Sequence, residues 1–258
     1  MTSMHQIKQI GAATDEATLA AGPLLSAAGI SSGYGGNMVL RDVAFALQPG
    51  EVCGVIGPNG AGKTTLLSTL YGLLPLATGN VCYAGEDISA LTPQQRRLRG
   101  VSYVPQENNV FPNLTVVENM ELALTGRPEL RKARRFGQRL EYIFNLFPRL
   151  AERRKQPAGL MSGGEQRMVA ISIGLMAEPR VLLLDEPTTG LAPNIVHQLM
   201  ETIQTLNRTE AISTIIVEQN IMAMLRIVNS LYLMKDGRSR RYEGAPEDIA
   251  KQKIWEYL

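Results

Sequence analysis

Long hydrophobic runs are missing from this chain. No stretch of about 18 consecutive apolar residues occurs, so nothing in it reads as a membrane-spanning helix. Cysteine is scarce: Cys53 and Cys82 stand alone, both in apolar or alternating, strand-like segments. Two such residues make no disulfide framework, and a reducing cytosol is the expected compartment. Strong charge of either sign is absent too. The net charge of +2 at pH 7 is too small a field to select nucleic acid as a partner. The first 20 or so residues carry Lys8, Asp15 and Glu16 and no compact apolar core, which argues against a secretory signal. Residues 1–23 are expected to be a disordered extension. Histidine is limited to His5, in that extension, and His197, at an expected exposed helical position. No internal repeat and no long heptad run is present.

What remains is an ordinary globular composition. An apolar content of 45% over 258 residues supports a substantial core in one large domain or two small ones. The most informative stretch is Gly57-Pro58-Asn59-Gly60-Ala61-Gly62-Lys63-Thr64, followed by Thr65. It reads G-x-x-x-x-G-K-T, after an apolar strand (Val52–Ile56) and before a helix-competent run to Leu70. Glycines let the backbone wrap closely around phosphates, because no Cβ obstructs the approach. Loop N–H groups and the positive helix end face the anion. Lys63 adds a point charge on the β/γ-phosphates, and Thr64 offers a hydroxyl to Mg²⁺.

Elsewhere strands and helices alternate. Leu24 to Ile30 and Val39 to Leu47 read as opening strands, and Gly79 to Glu86 as a hairpin edge. Pro93 to Arg99 reads as a short helix capped by Thr92. From Thr115 to about Leu150 the chain is helix-like and charge-rich, with Leu140, Ile143, Phe144 and Phe147 at helical spacing. Its basic cluster (Arg127, Arg131, Lys132, Arg134, Arg135 and Arg139) reads first as a solvated face, with anionic headgroups or a partner loop as the other possible target. Val181–Leu184 and Thr214–Val217 are continuous apolar runs, as strands buried on both sides should be. The pattern is an α/β domain interrupted by a helical insertion at about 107–176, within an ordered unit spanning 24–258.

Two further motifs carry chemistry. Leu182-Leu183-Leu184 ends in Asp185-Glu186. Asp185 at the strand's end would hold Mg²⁺ beside Thr64, and Glu186 would orient or deprotonate an attacking water. Ser162-Gly163-Gly164-Glu165 opens a helix. It fits a capping box, and its two glycines also offer backbone N–H groups to an anion.

With Gln106 between these motifs, the chain resembles the nucleotide-binding subunits of ABC transporters over roughly residues 24–258. The resemblance implies a P-loop NTPase fold: a RecA-like core with an antiparallel β subdomain and a helical subdomain. It implies ATP and Mg²⁺ as ligands. Tyr34 matches the aromatic that stacks on adenine, Gly57 to Thr65 the Walker A motif, and Asp185 and Glu186 the Walker B motif with its catalytic base. Gln106 matches the Q-loop residue that touches Mg²⁺ and the water. Ser162, Gly163 and Gly164 match the signature, which in the family faces the γ-phosphate held by Lys63 of a second subunit. Partners are then a second ATPase subunit, identical or not, two transmembrane permeases and, indirectly, a periplasmic binding protein. The place is the cytoplasmic face of the inner membrane, bound peripherally.

Departures from the commonest pattern point to a branch. Met161 replaces Leu before the signature, and Ala192 stands where Asp is usual. Gln219 in Val217-Glu218-Gln219-Asn220 takes the place of the switch histidine, which neither His5 nor His197 can be. An amide can hydrogen-bond phosphate but cannot take a proton as imidazole does. Together with Val104 to Val116, these features resemble the branched-chain amino-acid importer ATPases, F-type subunit. Urea or amide importers and lipopolysaccharide exporters share much of the pattern. A non-transport member acting on nucleic acid is the remaining alternative.

Overall fold

The computed structural model describes residues 22–107 and 109–250. The expected disorder of residues 1–21 and the end of the C-terminal helical segment lie outside the described residues. The fold has two sheets. The first is antiparallel, in the order β2-β1-β4-β5, from β1 (Leu25–Tyr34), β2 (Asn37–Leu47), β4 (Leu76–Tyr83) and β5 (Glu86–Asp87). β1 runs four residues past the expected end at Ile30. Its register slips between Ala27 and Ile30, around Gly29 at φ +61°. This bulge breaks the side-chain alternation that marks a strand in sequence, while the ladder continues beyond it. β1 turns into β2 through Gly35 and Gly36, both at positive φ, so Tyr34 sits at the hairpin tip and is half exposed.

The second sheet has six strands in the order β10-β9-β3-β8-β7-β6. These are β3 (Val52–Ile56), β6 (Val101–Val104), β7 (Val181–Asp185), β8 (Ser213–Val217), β9 (Ser230–Lys235) and β10 (Arg238–Arg241). All pairings are parallel except that of β10 with β9. β3, β7 and β8 are buried at every position, which is why they read as unbroken apolar runs. Alternate residues serve two cores. Cys53 and Val55 face α1 (Lys63–Tyr71) and the antiparallel sheet, while Val52 and Ile56 face the helices on the other side.

That second core is shared with the helical segment. Val116 and Met120 of α3 (Val116–Leu122), Ile143 of α4 (Ala133–Leu146), neighbouring Phe147 and Leu150 of α5 (Pro148–Glu152) join Leu182, Leu184 and Ile216 in one cluster. α6 (Gly163–Met176) lies against β6, where Ser102 Oγ donates to the Gly174 carbonyl at 2.9 Å. α7 (Pro193–Glu210) and the short α8 (Ile221–Met224) complete that layer. His197 is exposed on α7, 3.4 Å from Glu201. No helix among the described residues is long and apolar enough to cross a membrane.

The basic cluster is largely the solvated face expected, with Arg131, Lys132, Arg134 and Arg135 exposed, and several of its cations are also paired. Arg131 pairs with Glu121, Arg135 with Glu178 and Arg139 with Glu210, at 2.7–2.9 Å. Arg127 donates to the Leu98 carbonyl at 2.8 Å. The cations therefore tie the helical segment to α6, α7 and α2 (Pro93–Leu98). Glu178 and Glu210 lie 43 and 71 residues from their partners, too far along the chain for a sequence window to pair them.

Arg96 of α2 is 1% exposed and carries its charge into the interior. It donates to the carbonyls of Thr69, Leu70, Leu91 and Ser89. The first two are end carbonyls of α1, so the guanidinium caps the phosphate-loop helix and meets its negative pole. Arg96→Ala would remove all four of these donations, leaving the Thr69 carbonyl only its bond from the Gly72 N–H, and open a cavity. The expected cost is about 3 kcal/mol in urea unfolding. A loss below about 0.5 kcal/mol would show that the cap is dispensable.

Candidate active site

The carboxyl ends of four neighbouring parallel strands deliver the site. β3 ends at Ile56 before Gly57, β6 at Val104 before Gln106, β7 at Asp185 before Glu186, and β8 at Val217 before Gln219. In open α/β sheets this edge is where ligands bind. A cavity of about 450 Å³ opens there. Its walls include Asn59, Gly60, Gly62, Lys63, Thr64, Thr65, Gln106, Glu186, Gln219 and Val39 of β2. Tyr34 and Ser162-Gly163-Gly164 are not among them.

The loop between β3 and α1 is built by close backbone approach. A Cβ on Gly57 would stand 2.2 Å from the Met234 carbonyl oxygen, so only glycine fits beside β9. Lys63 is 6% exposed and donates to the carbonyls of Gly57 (2.8 Å) and Pro58 (3.0 Å). Its stem is thus fixed across the loop with the ammonium at the cavity. Burial lowers its pKa, and the charges of Glu186 and Asp185 oppose that shift.

Asp185 is 1% exposed. It accepts from the Thr64 hydroxyl at Oδ1 (3.1 Å) and from the Tyr103 hydroxyl at Oδ2 (3.1 Å). Burial pushes its carboxyl pKa up, and those two hydrogen bonds pull it back. Tyr103 was missed in sequence. It lies on β6 beside β7, and only strand order reveals the neighbour. Burial raises its phenol pKa, which keeps it a donor.

Glu186 has φ +45°, rare for a residue with a side chain, and its N–H donates to the Val217 carbonyl at 2.8 Å. This left-handed step sends the carboxylate across the strand tips. Four contacts hold it there. Gln106 Nε2 donates to Oε2 at 2.9 Å, and Thr189 Oγ1 donates to Oε2 at 3.0 Å. Gln219 Nε2 reaches both oxygens, at 2.8 and 2.9 Å. The two glutamines picked out in sequence therefore meet on one acid, and Thr189 joins them unforeseen.

Two more buried charges stand behind this group. Arg167 of α6 donates to the carbonyls of Pro105 (3.0 Å) and Gln106 (2.8 Å), fixing the bend that presents Gln106. Burial lowers its pKa, opposed by Glu218, Asp185 and Glu186. Glu218 is 2% exposed, and burial raises its pKa against hydrogen bonds from Thr188, Asn220 and Gln219. Ser162 opens α6 in the expected capping box: its Oγ accepts from Glu165 N at 3.4 Å, and its own N–H donates to Glu165 Oε2 at 3.0 Å.

Chemically, the cavity pairs a cation and a glycine-lined loop, suited to phosphate, with an oriented carboxylate and two amides, suited to water. The ABC transporter family matches residues 40–189. The high-affinity branched-chain amino acid transport ATP-binding protein BraG of Pseudomonas aeruginosa is 40% identical over 217 residues, 83% of this chain and 90% of BraG. The lipopolysaccharide export system ATP-binding protein LptB of Escherichia coli K12 is 32% identical over 225 residues, 87% of this chain and 92% of LptB. A solved structure, a nucleotide-free ATP-binding cassette from an ABC transporter, is similar with a TM-score of 0.80 at 25% identity, covering 92% of this chain and 99% of that one. With a phosphate loop, a Walker carboxylate pair and a fold shared almost end to end, the chain belongs to the ABC transporter family, as an ATP-binding cassette that hydrolyses ATP.

Proposed function

We propose that this chain powers import of branched-chain or related amino acids, working at the cytoplasmic face of the inner membrane. The observation that carries the reading is the 40% identity to BraG across most of both chains. The Glu218-Gln219-Asn220 segment adds to it, since the chain manages without a histidine at the end of β8. The partners in this reading are a second ATPase subunit, two permeases and a periplasmic binding protein.

Within the site, Glu186 is the base that takes the water's proton, and Gln106 and Gln219 position that base and the water. Tyr34 stacks on adenine in this reading, and its half-exposed ring at the hairpin tip supports that role. Gly57 to Thr65 hold the phosphates. Ser162-Gly163-Gly164, outside the cavity lining, serve the site of the second subunit. The helical segment at about 107–176 acts as a subdomain that follows the permeases. Mg²⁺ fits the donors present. The Thr64 hydroxyl and Asp185 carboxylate lie 3.1 Å apart next to Lys63, as hard oxygen ligands for an ion shared with phosphate, with Gln106 as third ligand. Bound there, it would neutralise charge on the β- and γ-oxygens. Among the described residues no group of three His, Cys, Asp or Glu could hold a metal by itself.

The similarity to LptB keeps lipopolysaccharide export as the second reading. Uptake of labelled leucine, isoleucine and valine by cells lacking this chain separates the two. Loss of ATP-dependent uptake with normal surface lipopolysaccharide is expected. Unchanged uptake with lipopolysaccharide retained inside would reverse the assignment.

A further inference from the structure

Glu218 follows β8 directly, and no nucleotide-binding motif claims it. It is 2% exposed, yet its carboxylate meets three backbone donors. Oε1 accepts from Thr188 N at 2.7 Å. Oε2 accepts from Gln219 N at 3.2 Å and Asn220 N at 3.3 Å. The donors come from two loops, one after β7 and one after β8. Each loop places a side chain on Glu186: Thr189 next to Thr188 in the first, Gln219 in the second. Arg167 grips the carbonyls of the third loop, which carries Gln106.

We propose that Glu218 is a positioning residue for ATP hydrolysis, a buried latch that holds the loops carrying Thr189 and Gln219 in register so that both side chains grip Glu186. The proposal rests on Glu186 being the base. The chemistry of the side chain supports it. A carboxylate has only acceptor sites, so three N–H groups can converge on it. An amide of the same shape has one accepting oxygen and turns an NH₂ toward a donor. The Glu218→Gln change therefore releases one loop or the other without emptying the space.

The released loop loses its hold on Glu186, not on the nucleotide. Lys63, Thr64 and Thr65 belong to the loop after β3, which Glu218 does not touch. The effect is therefore confined to turnover. A residue that merely stabilised the fold would lower the amount of active protein or affect binding and turnover alike.

The test uses the full chain assembled with its native membrane subunits, assayed for Mg-ATP hydrolysis. Glu218→Gln is expected to lower kcat about tenfold, with KM for ATP held within about twofold. Thr189→Val is expected to lower kcat less, and the double variant to lose less than the product of the two single losses, because both act through Glu186. Should Glu218→Gln fail to fold, Glu218→Asp carries the same test. It keeps the charge but is one methylene short of spanning both loops, and the same selective loss of kcat is expected. A kcat within about twofold of wild type in the folded variant, or losses that simply multiply in the double variant, overturns the latch. Glu186→Gln in the same preparation separates the two ideas. If it abolishes turnover and Glu218→Gln does not, the latch alone fails. If it leaves turnover intact, the base assignment fails and the latch with it.

Discussion

Glu186→Gln abolishes ATP hydrolysis and leaves ATP bound. The expected loss is about 10²–10⁴-fold in the rate of phosphate release, the range contributed by a positioned general base. Two effects combine. The amide cannot accept the water's proton. It also turns an NH₂ into a place where Gln106, Gln219 and Thr189 all present donors, so the grip on the side chain is broken as well. Nucleotide affinity is expected to hold, since Lys63, Thr64 and the glycine-lined loop follow a different strand end. Single-turnover phosphate release, with bound ATP counted in the same sample, measures both halves. Release within about threefold of wild type would remove Glu186 as the base. Loss of bound ATP would show that it acts in binding instead.

The contiguous parts of this site were legible in the sequence. The loop from Gly57 to Thr65 and the pair Asp185-Glu186 each sit within a few residues, flanked by apolar strands that announce their own burial. Gln106 and Gln219 were found through resemblance, and the geometry joins them on one carboxylate. What stayed hidden depends on strand order. Tyr103 reaches Asp185 from 82 residues away because β6 lies beside β7, and no periodicity encodes that neighbour. Arg167 sits on a well-capped helix and reads as an ordinary charge. Only the packing of α6 under the bend after β6 turns it into a clamp on Gln106. Glu218 drew notice in sequence only as the neighbour of Gln219, because its three partners are backbone groups, which every residue carries.

The same blindness to distant pairing hides two of the ion pairs of the helical segment. Six basic residues within 127–139 look like a surface field when Glu178 and Glu210 are out of sight. In three dimensions Glu121, Glu178 and Glu210 neutralise three of them. Exposed pairs of this kind each contribute roughly 0–1 kcal/mol, so their value is in orienting the segment more than in holding it folded. Arg139, the least exposed of the three, also donates to the Leu175 carbonyl at the end of α6 and lies over the Tyr142 ring. The helix that begins at the signature residues is therefore anchored at its far end by a cation from the helical segment.

Lys63→Ala weakens nucleotide binding with little harm to the fold. The ammonium is fixed by two loop carbonyls, at 2.8 and 3.0 Å, which use two of its three donors and leave the third to the cavity. A charge-assisted hydrogen bond to phosphate contributes roughly 1.5–3 kcal/mol, so ATP affinity should fall about 10- to 100-fold. Hydrolysis should fall further, by about 10²–10³-fold at saturating ATP, because the same charge faces the oxygens that gain charge in the transition state. Lys63→Arg is not expected to rescue either quantity. The planar guanidinium is wider than an ammonium and cannot settle between the Gly57 and Pro58 carbonyls of a loop packed against Met234. The fold should tolerate the alanine. Among the described residues Lys63 forms no ion pair at 4 Å or less, and Leu66, Leu67 and Leu70 keep α1 anchored in the core. Equilibrium binding of a fluorescent ATP analogue and the thermal midpoint, measured on one preparation, decide the matter. An affinity within about threefold of wild type would move phosphate recognition to the loop backbone alone.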